Sequence, residues 1–241
     1  MIYGAIVLVV AAGGVFLYGC SAPAWNFPVR VTVRGKSDGG GIALTFDDGP
    51  APPTTEAILD LLRERQVKAT FFLCGKNVER YPEVARRIHT EGHTIGNHTY
   101  SHPFLYFRSR RFMAKEIDRT QQAIETATGA RPRFFRPPYG VRWPGLGGVL
   151  RERQMQLVNW SDTGYDWKLQ TEQIVRAATK HLRAGAILLL HDGLETPRPR
   201  PVDQSRTLRA LPAILDHAQR AGLRFRTLDE LLPAASNRAK D

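Results

Sequence analysis

Ile42-Ala43-Leu44-Thr45-Phe46-Asp47-Asp48-Gly49-Pro50 reads as a short apolar strand that ends in two adjacent carboxylates and a turn. A run of this length bounded by Gly and Pro is the pattern of a strand covered on both faces, as in a parallel sheet. Similar runs recur at 69–73, 93–95, 133–135, 156–160, 186–190 and 223–227. Between them lie amphipathic stretches of helical period at 55–65, 81–91, 112–128, 170–182 and 207–221. In the third of these, Met113, Ile117, Ile124 and Ala127 form one stripe, and Gly129 supplies a left-handed C-cap. Strand and helix in alternation imply a parallel sheet with right-handed crossovers. About seven strands and five clear helices suit an open doubly wound sheet or an incomplete barrel, and periodicity alone does not separate the two.

Composition limits what the chain can be. Hydrophobic residues make up 42% and charged residues 24% of 241, as in ordinary globular proteins. A mean hydropathy of −0.31 excludes a protein built mainly of membrane spans. Cys20 and Cys74 are the two cysteines, too few for a disulfide framework. The formal charge of +11 favours an anionic partner: nucleic acid, a phospholipid surface or an acidic polymer. No nucleic-acid-binding motif accompanies that charge, so a nucleic-acid partner is not expected.

Residues 2–18 are almost wholly apolar, and the first charged residue is Arg30. A bilayer span takes about 20 apolar residues, so this run is of borderline length. Residues 1–20 are read as a membrane anchor or a lipoprotein leader. Leu17-Tyr18-Gly19-Cys20 resembles a lipoprotein processing site, with Cys20 as the lipidated residue. The positive-inside rule would leave the domain in the cytoplasm, whereas a lipoprotein reading exports it. Export to the cell envelope, with the domain membrane-associated, is the expectation adopted. Residues 21–37 read as a linker with one short strand at 29–33, residues 38–232 as the folded domain, and residues 233–241 as a flexible tail.

The chemistry gathers where the apolar runs stop. Asp47-Asp48, His98 with His102, Arg136, Asp166-Trp167 and His191 each follow a strand candidate. Parallel α/β proteins collect their active sites at that end. Each piece alone has an ordinary reading: a turn, surface histidines, a loop cap, a core indole, a buried imidazole. Five such pieces in one domain make coincidence a poor explanation. Two imidazoles spaced i, i+4 on a helical turn plus one carboxylate would hold a divalent metal with positions left open. Adjacent carboxylates at a strand end should point to opposite sides, leaving Asp48 to bind the metal and Asp47 free as a base.

These pieces in order, TFDDGP (45–50), HTYSH (98–102), RPPYG (136–140), DW (166–167) and LLH (189–191), resemble the NodB homology domain of the polysaccharide deacetylases, carbohydrate esterase family 4. The resemblance covers roughly residues 40–230. It implies a distorted (β/α)7 barrel of the NodB type, here preceded by a single hydrophobic segment. It implies a metal-dependent hydrolase that removes N-acetyl groups from the amino sugars of a polysaccharide, oligosaccharide or lipid-linked glycan and releases acetate. Asp48, His98 and His102 match the metal ligands, usually for Zn2+, with Co2+, Ni2+ or Mn2+ as alternatives. Asp47 matches the general base and His191 the general acid. Arg136 matches the partner of Asp47, Asp166 matches the partner of His191, and the Tyr139 backbone N–H matches an oxyanion donor. Asp162 stands four residues before Asp166, not three, and Phe104 stands where many members have aspartate.

Tyr139, Trp167 and Pro138 are candidate substrate contacts, and Trp160 is read as core. Arg198 and Arg200, spaced by prolines, and the cluster Arg108, Arg110, Arg111 could meet an anionic or lipid-linked glycan. Two other readings remain: hydrolysis of a non-sugar amide on the same fold, and a membrane-tethered glycan-binding module without turnover.

Overall fold

The computed structural model describes residues 2–22, 24–194 and 205–232, with side chains from residue 12 onward except that of Asp38. The basic segment around Arg198 and Arg200 and the tail 233–241 lie outside the described residues. The amino-terminal helix α1 is Ile2–Ser21. The domain then runs β1 (Gly41–Asp47), α2 (Thr54–Glu64), β2 (Thr70–Leu73), α3 (Gly75–Arg80), α4 (Pro82–Thr90), β3 (Thr94–Asn97), α5 (Arg110–Thr128) and β4 (Phe134–Phe135). It continues with α6 (Leu146–Glu152), β5 (Gln156–Leu157), β6 (Asp162–Thr163), α7 (Thr171–Thr179), β7 (Ile187–His191), α8 (Ser205–Arg220), β8 (Arg224–Arg226) and α9 (Leu228–Leu231).

The sheet order is β5-β4-β3-β2-β1-β7-β6, and every pairing is parallel. Strand β8 pairs with Gly41–Ala43 at the start of β1, and β2 pairs with its end at Thr45–Asp47. This is the distorted, incomplete (β/α) barrel that the resemblance implies, and it decides against the open doubly wound alternative. Among the described residues the barrel is not closed by strand pairing between β5 and β6. The stretch expected as a linker lies in that seam. Thr32 bridges Val158, Arg34 bridges Ala186, and Arg34 pairs with Asp162 at 3.2 Å. Asp162 thus has a structural partner.

Every residue of β1 is buried, so its apolar run carries no alternation. One apolar cluster joins β1, β2 and β7 to α2, α4, α5 and α8 through Phe46, Phe71, Leu59 and Ile214. A second cluster, with Met113, Ile117, Phe135 and Leu157, also takes in Val31. Helix α5 begins at Ser109, whose hydroxyl accepts the Phe112 N–H at 3.2 Å, and ends at Gly129 with φ 73°. The short elements α3, α6, α9 and β6 were not expected from the sequence, because one or two turns or two residues carry no readable period.

At the amino terminus, helix α1 runs through Cys20 without a break, and Cys20 is fully buried. Arg142 packs over this end, donating to the carbonyls of Gly19 and Ala22. Among the described residues no helix is long and apolar enough to cross a membrane, and most of the apolar run falls in residues 1–11, whose side chains lie outside the description.

Candidate active site

The carboxyl ends of β1, β3, β4 and β7 open onto one cleft of about 240 Å³, lined by Asp47, Asp48, His98, His102, Tyr139, Trp160, Trp167, Leu189, His191 and Leu194. Both aspartates face this cleft, contrary to the expectation that neighbours at a strand end diverge. The reason is backbone: Asp48 leaves the strand at φ 77°, in the left-handed region, which turns its side chain back beside that of Asp47. Thr99, His102 and Tyr139 also have positive φ, at 67°, 52° and 57°. Such conformations cost about 1–3 kcal/mol each and collect where surrounding contacts enforce a functional geometry.

The Asp48 turn is held from several sides. Asn77 Nδ2 donates to the Asp48 carbonyl at 2.8 Å, and the Cys74 N–H donates to the Gly49 carbonyl at 3.0 Å. Gly49 must be glycine, since a Cβ there would lie 2.0 Å from Asp192 Oδ2. Asp192 is buried under the turn and accepts the Thr55 hydroxyl at 2.6 Å; burial pushes its carboxyl up to about 7.

Asp48 Oδ1 lies 3.3 Å from His98 Nε2 and 3.2 Å from His102 Nε2. One ligand atom from each of the three residues falls within 4.8 Å of the others, and all three residues are buried. The histidines do not share a helical turn, as their spacing suggested. They sit in the loop after β3, where the left-handed residues Thr99 and His102 bring the rings to 5.0 Å between centroids. His98 Nδ1 lies 2.7 Å from the Arg136 carbonyl and donates to it, so Nε2 is the nitrogen turned toward Asp48. A donor set of two imidazole nitrogens and a carboxylate oxygen on one side of a cleft suits a divalent cation with open positions. The electrostatics agree. Burial opposes charge on His98, yet the Asp47 and Asp48 carboxylates draw a proton to it and hold it above the usual imidazole range. A cation answers the same negative charge. Burial keeps His102 low, at about 4, which leaves it neutral as a ligand must be.

Asp47 is held separately. Its Oδ1 accepts from Arg136 Nη1 at 2.7 Å, while its Oδ2 lies 3.7 Å from His98 Nε2. Arg136 is fully buried, and its other donors reach Thr45 Oγ1 and the carbonyls of Val158 and Asn159 at 2.8–3.2 Å. The Phe72 ring lies 4.1 Å from the guanidinium carbon. Burial lowers the Arg136 pKa, and the Asp47 charge works against that loss.

Across the cleft, His191 Nδ1 donates to Asp166 Oδ1 at 2.8 Å. Asp166 Oδ2 accepts the His191 backbone N–H at 2.7 Å and the Thr207 hydroxyl at 2.8 Å. Burial disfavours charge on His191, but the Asp166 carboxylate, with the Asp48 and Asp47 carboxylates adding to it, outweighs burial and raises the imidazole to about 9. Asp47 and His191 are register partners on β1 and β7, so strand spacing sets their separation.

Of the expected substrate contacts, Tyr139 and Trp167 line the cleft, with Trp167 edge-on to His191 at 5.2 Å between centroids. Pro138 is buried and is not among the lining residues. Trp160 does both jobs: it packs against the core and lines the cleft. Phe104 stacks on Tyr139 at 3.9 Å and 7°. Sequence reasoning missed Thr207 and Asn77. Asn77 stands in the short helix after β2 and acts through its side-chain amide on a backbone carbonyl, and no local signal marks a helix hydroxyl such as that of Thr207, which meets an aspartate 41 residues away.

A parallel α/β half-barrel carries at its carboxyl rim a buried Asp-His-His set that could hold one divalent cation, flanked by an Arg-held carboxylate and an Asp-held imidazole. The sequence model of the polysaccharide deacetylase family matches residues 34–158, and the chain belongs to that family, carbohydrate esterase family 4. It is 36% identical over 216 residues to the peptidoglycan-N-acetylglucosamine deacetylase of Bacillus cereus, covering 89% of this chain and 76% of that one. It is 35% identical over 211 residues to the chitooligosaccharide deacetylase of Bradyrhizobium sp. (strain ANU 289), covering 85% and 96%. The crystal structure of the Bc1960 peptidoglycan N-acetylglucosamine deacetylase, in complex with 4-naphthalen-1-yl-N-oxidanyl-benzamide, superposes with a TM-score of 0.77 at 34% identity, covering 83% of this chain and 92% of that one.

Proposed function

We propose that this chain is a divalent-metal-dependent N-deacetylase of N-acetylated amino-sugar glycans, of the peptidoglycan or chitooligosaccharide kind, with Zn2+ as the resident ion. The observation that supports this most is the shared cleft: a three-ligand set and two separately held proton-transfer groups within one family fold. Asp48, His98 and His102 would hold the cation, which lowers the pKa of water toward about 7 and polarises a carbonyl oxygen.

The chain's own groups divide the remaining work. Asp47 takes the proton of the attacking water. Arg136 fixes one oxygen of that carboxylate at 2.7 Å and leaves the other to the cleft. The Tyr139 backbone N–H faces the oxygen on which charge develops; removing one such donor typically costs about 2.7–4 kcal/mol of barrier. His191 is charged at neutral pH through Asp166 and gives its Nε2 proton to the departing sugar nitrogen. Acetate and a free amino sugar leave. Tyr139, Trp160 and Trp167 offer aromatic faces to the sugar ring. The catalytic domain works in the cell envelope in this reading.

Acetate release from a panel of N-acetylated glycans and small N-acetyl amides, with and without chelator, tests the proposal. Chelator-sensitive, metal-restored release from glycans is expected. Release from small amides alone would transfer the site to a non-sugar substrate, and glycan binding without release would make the chain a binding module; either outcome overturns the reading.

A further inference from the structure

An exposed aromatic surface runs from the rim of the cleft to helix α1. Beside the cleft, Phe104 is exposed and stacks on Tyr139. Three residues on, the Phe107 ring is 78% exposed and lies 4.7 Å from Trp143. Trp143 in turn meets Phe16 of α1 edge-on at 5.7 Å, and the Tyr106 hydroxyl donates to the Leu17 carbonyl at 3.3 Å. Beyond this contact, Val15 and Tyr18 on α1 are both 61% exposed, and Trp25 and Phe27 are exposed beside them. Scattered apolar side chains on a surface need no explanation, but a contiguous exposed patch does.

Charge gives the patch a direction. The three segments that build it, 12–30, 103–112 and 139–143, contain no Asp or Glu. Arg108 and Arg111 stand exposed at its edge, and among the described residues no carboxylate pairs with either. Arg110 differs, being paired with Glu152. Amphipathic aromatics beside arginines that no described carboxylate neutralises (the Arg108 guanidinium lies over the Phe112 ring at 4.8 Å), contiguous with an apolar helix that carries no charge, match the headgroup region of an anionic bilayer.

We infer that this face, centred on Phe107 and bounded by Arg108 and Arg111, rests in the headgroup layer of an anionic phospholipid bilayer. The rim of the cleft at Phe104 and Tyr139 then lies at the membrane surface, and the glycans presented to it are those held there, such as lipid-linked ones. The statement about substrate rests on the deacetylase reading; contact with lipid does not.

The test uses the full chain carrying Phe107→Cys, labelled with an environment-sensitive fluorophore. Cys20 and Cys74 are both buried and leave the new thiol as the reactive one. The control is Arg131→Cys, which precedes β4 and so lies at the opposite end of the sheet. Both are mixed with vesicles of phosphatidylcholine and phosphatidylglycerol containing brominated lipid. Interfacial faces sit about 5–10 Å into the headgroup boundary, so quenching at 107 should exceed that at 131 by about threefold or more. Adding Arg108→Gln and Arg111→Gln should bring the two labels closer together and weaken lipid titration by about thirtyfold. Equal quenching at 107 and 131 would overturn the inference. A label at 107 that answers to chitooligosaccharide and not to vesicles would overturn it too, by making the patch a glycan subsite. Acetate release is not a readout here, so loss of the deacetylase reading would be seen separately.

Discussion

Replacing Asp166 by Asn isolates the charge that keeps His191 protonated. Asp166 accepts three hydrogen bonds, from His191 Nδ1, the His191 backbone N–H and the Thr207 hydroxyl, at 2.7–2.8 Å. Asparagine keeps the shape and an acceptor oxygen, and loses the charge. Burial alone would hold the His191 imidazole neutral, yet the carboxylates of Asp166, Asp48 and Asp47 together lift it from 6.5 to about 9, with Asp166 the largest of the three. That net rise is worth about 3 kcal/mol at about 1.36 kcal/mol per pKa unit. Asp166→Asn should therefore lower the His191 pKa toward its ordinary range, with Asp48 and Asp47 still acting to raise it. In a plot of kcat against pH, the alkaline limb reports loss of the general acid and should fall by about one unit or more. A bound cation displaces the limb in both proteins, so the difference between them is the readout. Stability offers a second measure. The folded pKa lies above the unfolded one, so the stabilisation is complete below about 6.5 and lost as pH rises through about 9. That loss should shrink and move to lower pH in the variant. An alkaline limb that stays within about half a unit, with the rate lowered evenly at all pH values, would refute the role given to His191.

Asp47→Asn should keep the metal, measured by elemental analysis, while kcat falls by about 10²–10⁴-fold, the usual contribution of a general base. His98→Ala should lose both metal and activity; a variant with full metal occupancy and rate would remove His98 from the ligand set. Arg136→Met leaves the buried Asp47 carboxylate unpaired and should cost about 3–5 kcal/mol in denaturant unfolding. Gly185 has φ 80°, and an added Cβ would sit 2.7 Å from the Gly35 carbonyl oxygen. Gly185→Ala should therefore destabilise by about 2–4 kcal/mol and lower Tm without altering the cleft. An unchanged Tm would show that the seam segment around Gly35 can move.

Much of this molecule was legible in its linear pattern. The buried run of β1 and the stripe of Met113, Ile117 and Ile124 carry their periods locally, and Gly129 announces its helix end by its own conformation. The residue types that hold a metal and move protons also appear in order, each just past a strand, because the fold places its chemistry there. Tertiary structure decided the rest. Asp47 and Asp48 share one cleft only because Asp48 adopts φ 77° under contacts from Asn77 and the Asp192 turn. His98 and His102 converge through a loop and not a helical turn. The segment read as a linker fills the gap between β5 and β6. Period and composition are properties of neighbours along the chain, whereas a forced left-handed backbone, a hydroxyl reaching across 41 residues and a filled seam depend on contacts that exist only after the chain has folded.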